Sequence, residues 1–231
     1  MVQIVRDEIK KHQGSLTDLV KIYDLISSDC DPLRNVEAVY LFGQTRDNEQ
    51  SVFQSAREIR DRGLKVPVFV LDGPDPNDAR FKRSGFPGYE QWAKKLKSNF
   101  GLETVPLEPL DKNNLNTYTE AQALVRTSKE GGPKSWYIVV APFHMLRAFI
   151  SAASVAIKKE PSLKIFAYSG AEQDWDEKVV HSQGVLIDTR RNLIKHELKK
   201  IKIYSTLGYL LKRPKKILED LSRREGIYLG I

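Results

Sequence analysis

The chain has a single cysteine, Cys30, in 231 residues. It forms no internal disulfide and offers no cysteine-rich zinc site, and a buried, inert thiol is the expected state. Long apolar runs are also missing. No window approaches the roughly 20 residues that a membrane-crossing helix needs. The opening residues, Met1-Val2-Gln3-Ile4-Val5-Arg6-Asp7-Glu8, alternate charged and apolar side chains and lack the uninterrupted core of a signal peptide. A soluble cytoplasmic protein is expected. The four histidines, His12, His144, His181 and His196, are scattered, and Asp174 and Asp176 have no histidine cluster beside them in sequence. No structural zinc is expected. Gly-x-Ser-x-Gly elbows, P-loops, zinc-protease motifs and the Gly-x-Gly-x-x-Gly fingerprint are absent, and Gly85-x-x-Gly88 does not follow a strand. The familiar hydrolases, ATPases and dinucleotide enzymes therefore lack support.

What is present is ordinary in bulk and uneven in detail. Hydrophobic residues at 41% and charged residues at 29% suit a globular chain of single-domain length. The net charge of +7 is concentrated at one end: residues 189–231 hold twelve Lys/Arg against four acids, an excess larger than that of the whole chain. A basic patch, if the protein has one, belongs to this C-terminal segment. Nucleic acid or an acidic partner is the matching ligand class, and a solvated helix face is the commoner outcome.

Apolar periodicity divides the chain into alternating elements. Leu16, Leu19, Val20, Ile22, Tyr23 and Ile26 have helical spacing behind a Ser15 cap. Val36–Phe42 is a short run of strand formers closed by Gly43, and a helix follows from Asn48 to Arg62 with Gly63 past its end. Val66–Leu71 is a second strand; its Pro67 lies near the strand start, where a missing donor is tolerable, but it counts against a central position. Asp72–Gly88 is a long irregular stretch of the kind often functional or mobile. Beyond it the spacing predicts helices at Tyr89–Asn99, Thr117–Glu130 and His144–Lys158, and strands at Glu103–Leu107, Ser135–Ala141 and Leu163–Tyr168. Long helices are predicted from Asp188 to about Leu211 and from Pro214 to Arg224. Alternating strands and helices imply right-handed parallel βαβ units. The expected fold is a three-layer, Rossmann-like α/β sandwich: one domain over 1–231, with a helical cover over 1–30, a sheet core over 36–170 and a basic helical segment over 188–226.

Two segments carry chemistry. In Asn116-Thr117-Tyr118-Thr119-Glu120-Ala121, Thr117 and Glu120 have capping-box spacing, in which Thr117 caps the helix and Glu120 reaches back. Asn116 is left over, and with Asn113 and Asn114 it makes a polar approach to a helix start that suits a phosphate or carboxylate. In Ala141-Pro142-Phe143-His144-Met145-Leu146-Arg147-Ala148, His144 and Arg147 share one helix face just past a strand end. Arginine grips anions bidentately and imidazole transfers protons near neutral pH, although a loop-capping histidine and an acid-paired arginine explain the spacing as well. Both segments fall where open α/β sheets bind ligands. Further contacts are offered by Gly43-Gln44-Thr45-Arg46 after the first strand, by Asp72-Gly73 after the second, and by Trp175, which has the ring to stack on a base and the usual fate of anchoring a loop in the core.

The pair Asn-Thr-x-x-Glu-Ala and His-Met-x-Arg-Ala resembles the family of uncharacterised proteins that includes YdcF, SanA and ElyC. The resemblance runs from Val36–Phe42 to the helix near Arg190–Glu197 and is closest to the soluble YdcF type. It departs at Gly43–Arg46, where the family's glycine-rich turn is reduced to Gly43 and Arg46, at Asp72-Gly73, which stands for Ser-Gly-Gly, and at Ala141-Pro142, which stands for Thr-Ser. The resemblance implies a ligand-binding α/β domain, with S-adenosylmethionine or another nucleotide-like molecule as the ligand. It also implies that Arg190 or Arg191 and Glu197 help to close the site. Whether the protein is an enzyme is left open.

Overall fold

The computed structural model describes residues 2–13, 18–73, 85–112, 114–181, 185–211 and 214–226. Two helices, α1 (Val2–Gln13) and α2 (Asp18–Ile26), lead into a βα alternation: β1 (Ala38–Leu41), α3 (Glu49–Asp61), β2 (Val68–Leu71), α4 (Tyr89–Phe100), β3 (Thr104–Leu107), α5 (Thr117–Lys129), β4 (Ser135–Val140), a 3-10 turn (Pro142–His144), α6 (Met145–Lys159) and β5 (Lys164–Ser169). An arm follows, made of β6 (Lys178–His181), β7 (Leu186–Thr189) and α7 (Arg190–Thr206), and α8 (Lys215–Glu225) comes last. Ser15 and most of the Asp72–Gly88 stretch lie outside the described residues.

The five core strands form one parallel sheet in the order β3-β2-β1-β4-β5, flanked by helices as a three-layer α/β sandwich. β4 is buried at all six positions because helices cover both faces, which explains why its sequence reads as a continuous apolar run. Its alternate side chains feed two cores. Tyr40, Phe42, Trp136, Ile138 and Val140 face α5 and α6, over which α1, α2, α7 and α8 add a further covering, while Val39, Leu41, Tyr137 and Val139 face α3 and α4. Phe53 of α3 meets Trp92 of α4 edge to face at 4.9 Å in the second core. Gly101 ends α4 in the left-handed region at φ 64°, where a side chain would be strained.

Two expectations are corrected by these pairings. β2 lies inside the sheet, between β1 and β3; Pro67 sits one residue before it and contributes only its carbonyl, to Val39 N at 3.0 Å, so the missing donor costs nothing. Residues 186–189 are not the start of a helix. They pair antiparallel with 178–181 as a hairpin, and α7 begins at Arg190 with Thr189 accepting from Asn192 N as its cap.

The C-terminal helix is clamped to the N-terminal half by a buried ion pair. Arg224 reaches Asp29 Oδ1 at 2.6 Å, lies over the Phe166 ring at 4.4 Å, and flanks the Arg34–Glu225 pair at 2.7 Å. Asp29 Oδ2 also accepts from Ala167 N, tying the clamp to β5.

Candidate functional site

The strand order reverses between β1 and β4, since the chain leaves β1 towards β2 and β3 and returns to β4 and β5 on the other side. That reversal opens the crevice in which such sheets bind ligands. Three of the predicted segments converge there: the turn after β1, the start of α5, and the 3-10 turn after β4 that runs into the first turn of α6.

The start of α5 is capped one residue earlier than the Thr117–Glu120 box requires. Asn116 is the cap residue: its Oδ1 accepts from Tyr118 N and Thr119 N, and Thr119 Oγ1 accepts from Asn116 N in return. Asn116 Nδ2 donates to Asn114 Oδ1, so the side chain is fully occupied by the helix start. Thr117 and Glu120 are thereby released from capping and turn into the crevice. Asn113 lies outside the described residues.

Thr117 becomes the meeting point. Its Oγ1 stands 2.5 Å from Arg147 Nη1 and 3.1 Å from His144 Nε2, three groups from two helices and a strand-end turn, all buried. Gln44 Nε2, which also donates to Phe42 O, lies 3.3 Å from His144 Nδ1. An amide donor at Nδ1 makes that nitrogen the acceptor, so Nε2 carries the proton and points at Thr117. Burial, and then the Arg147 charge, hold His144 well below the usual imidazole range, so the ring is neutral.

Glu197, from α7, completes the cluster. Its Oε2 accepts from Arg147 Nε at 2.6 Å and lies 3.7 Å from His144 Nε2; its Oε1 accepts from His181 Nε2 at 2.7 Å and from Lys200 Nζ at 3.3 Å. Burial pushes the carboxyl upward, but the Arg147 charge, with the hydrogen bond from His181, outweighs it and holds Glu197 well below the carboxylate range. The charge is thus kept in a place that is 3% exposed, which a lone carboxylate would not tolerate.

Glu120 is the second buried carboxyl. One oxygen accepts from both Tyr40 Oη at 2.7 Å and Gly43 N at 3.0 Å. Burial is the largest influence on it and lifts it to about 7, against the pull of those two donors and of Arg147. A carboxyl that exchanges its proton near neutral pH, beside a neutral imidazole and a fixed guanidinium, has the makings of acid–base chemistry.

The other predicted contacts separate from this cluster. Thr45 is buried, but its Oγ1 donates to Val180 O and so fastens β6 to the turn after β1. Arg46 is exposed and meets Gln91 of α4. Asp72 pairs with Lys112 at 3.0 Å, and a Cβ on Gly73 would meet Phe86 at 2.8 Å. Trp175 is buried in the core with Nε1 donating to Glu172. Arg190 does not join Glu197 in the crevice; it is buried between Asn48 Oδ1, Asp47 O, Asp174 O and Glu177, and anchors the arm to the sheet.

Four cluster members carried no signal in the sequence that singled them out: Tyr40, His181, Lys200 and Tyr204. Tyr40 reads as a strand core residue, and His181 lies in a hairpin of two strands only four residues long. Lys200 and Tyr204 belong to α7, whose apolar positions Leu193, Ile194, Leu198, Ile201 and Tyr204 mark an inward face; Tyr204 packs with them as that pattern predicts, whereas Lys200 turns inward to Glu197 instead of staying outside with the other lysines. The 5.6 Å approach of Tyr204 to the Arg147 guanidinium is a tertiary fact.

The basic C-terminal segment is less free than its composition implies. Arg190, Lys200 and Arg224 point inward to acids, while Lys195, Lys199, Lys202, Lys215 and Lys216 are exposed on α7 and α8. Among the described residues no group of histidines, cysteines and acids has the geometry of a metal site, and no helix is long and apolar enough to cross a membrane. A groove of about 370 Å³ lies at the opposite, N-terminal edge of the sheet, lined by Ile59, Arg60, Leu64, Pro67 and Leu102 among others, and shares no residue with the cluster. No protein-family model matches the chain, and no curated protein or solved structure matches it significantly.

Proposed function

We propose that the chain is a cytoplasmic protein related to YdcF, SanA and ElyC, and that it binds an anionic, nucleotide-like small molecule in the crevice between β1 and β4. The observation that carries this reading is the convergence of Gln44, Thr117, His144 and Arg147, from three separate chain segments, on one buried point at the switch of strand order. Arg147 supplies the positive charge and the planar donors for a phosphate or carboxylate. His144, neutral with a proton on Nε2, is the group assigned to proton transfer, and Arg147 stabilises the charge that develops on the ligand. S-adenosylmethionine, nucleotide-like and net cationic but carrying a carboxylate, would offer that carboxylate to Arg147 and supplies an activated methyl group when bound.

The site rather than the basic tail is favoured because three of the tail's cations are already committed to internal acids. The test is calorimetric titration of the protein with ribose 5-phosphate. Binding in the micromolar-to-millimolar range that weakens at least about tenfold in Arg147→Gln and in His144→Ala supports the reading. Unchanged affinity in both variants would overturn it.

A further inference from the structure

Both polar and aromatic surfaces bordering Arg147 are occupied by side chains of one arm. Glu197 covers the guanidinium from α7. Just past the end of that helix, Tyr209 stacks on Tyr118 with ring centroids 4.6 Å apart and planes within 7°, and Tyr118 is the chain neighbour of Thr117, whose hydroxyl holds Arg147. Tyr204 joins the two ends: it lies 5.6 Å from the Arg147 guanidinium and meets Tyr209 edge to face at 5.6 Å. An anion on the arginine and a flat ring on the adjoining tyrosine are thus both supplied from within.

We infer that the arm is a built-in substitute for the ligand, and that the ligand is a planar ring carrying a phosphate or carboxylate. This inference rests on the reading of the crevice as an anion site. In the exchange, the ligand's ring replaces Tyr209 against Tyr118, and its anionic group replaces Glu197 Oε2 on Arg147. The two replacements need little movement. Leu193, Ile194, Leu198 and Ile201 pin α7 into the core, so the helix body stays where it is. The turn at Gly208 is held by Lys158 Nζ on Gly208 O at 3.1 Å and by Tyr209 N on Tyr204 O at 3.0 Å, so the half-buried Tyr209 ring leaves Tyr118 by rotating its own side chain. Glu197 gives up Arg147 but keeps its second oxygen on His181 and Lys200, so its charge is not stranded. No covalent step is involved; the exchange is competition between an internal and an external ligand, with the arm setting the apparent affinity.

Adenosine monophosphate and ribose 5-phosphate separate the ring from the anion. Tyr209→Ala frees Tyr118 and is expected to bind adenosine monophosphate about tenfold tighter than the wild type, the size of one aromatic contact, with no gain for ribose 5-phosphate. Tyr209→Phe keeps the stack and should keep the wild-type affinity. Adding Tyr118→Ala to Tyr209→Ala should abolish the gain. Tyr209 is half-buried at the surface, and a thermal melt of each variant checks that it folds. The inference is overturned if Tyr209→Ala binds adenosine monophosphate no better than the wild type, or if ribose 5-phosphate gains equally, while Arg147→Gln still weakens ribose 5-phosphate. If Arg147→Gln has no effect on either probe, the crevice reading itself is wrong and this inference falls with it.

Discussion

Arg147 Nε donates to Glu197 Oε2 at 2.6 Å across fifty positions of sequence, with both side chains almost wholly out of solvent. The pair joins the sheet's own helix to the arm that covers it. Removing one member strands the other charge in the interior, which costs about 3–5 kcal/mol, whereas exchanging both for apolar residues of similar size is near neutral. Glu197→Ala should therefore lower urea-unfolding stability by about that amount, and Arg147→Met with Glu197→Leu should recover most of it. A double variant no more stable than the single one would show that the rest of the network, not the pair, holds the arm.

Glu120 makes stability depend on pH in an unusual direction. Unfolded, its carboxyl ionises near 4.5; folded, it keeps its proton to about 7. The folded state binds more protons between those values, so stability falls as pH rises from about 4.5 to 7 and levels off above. Each pH unit carries about 1.4 kcal/mol, giving a loss of about 3 kcal/mol that Glu120→Gln lacks. Denaturation of both proteins from pH 4.5 to 8 should show the variant gaining on the wild type by that order. A constant difference would mean that Glu120 ionises normally.

His144 and His181 act in the opposite direction. Burial is the main cause for each, reinforced for His144 by Arg147, and both stay neutral below the usual imidazole range. Unfolding lets them take up protons, so their contribution is lost as pH falls below about 6.5. Nitrogen-15 spectra should show His144 neutral at pH 6 and protonated on Nε2 only, with His181 titrating lower than a free imidazole. An imidazolium signal from His144 at pH 6 would contradict the assignment.

Asn116 caps α5, and Thr117 does not. Asn116→Ala should cost about 1 kcal/mol and Asn116→Asp much less. Thr117→Val should cost about 1–3 kcal/mol for a different reason, because it leaves donors of Arg147 and His144 unsatisfied in the interior. Amide exchange at Tyr118 and Thr119 distinguishes the two, since only loss of the cap exposes those protons.

The shift of the cap by one residue shows where the sequence is ambiguous. Asn116-x-x-Thr119 and Thr117-x-x-Glu120 fit the same spacing rule, and local propensity alone does not choose. The choice is made at long range, by Tyr40 of β1 and Gly43 of the turn after it, which engage the Glu120 carboxyl. The core strands were legible for the converse reason: β1 and β4 are buried on both faces, so every residue reports the same environment. His144 and Arg147 stood out as an unusual pair after an apolar strand, and they do meet. Their partner Glu197 follows from a family resemblance, while His181 sits in a hairpin too short to stand out as strand. The site's full charge balance depends on the arm: the apolar positions of α7 mark it as packed, but no local pattern says which side chains its acids and tyrosines meet.

The order of these elements along the chain has a consequence for synthesis. All five sheet strands are made by Ser169, yet Arg147 meets its carboxylate only at residue 197, and Tyr118 its stacking partner only at residue 209. A domain assembling from its N-terminus as it leaves the ribosome would complete its scaffold first and hold an unpaired guanidinium until the arm emerges. Ribosome-arrested chains that have β5 but not residue 197 outside the exit tunnel should be protease-resistant through β5 and bind phosphate-bearing beads more tightly than the finished protein does. Equal retention of both would mean that the arm closes nothing. For this protein, the elements made after the sheet are the ones that balance the charge at its strand ends.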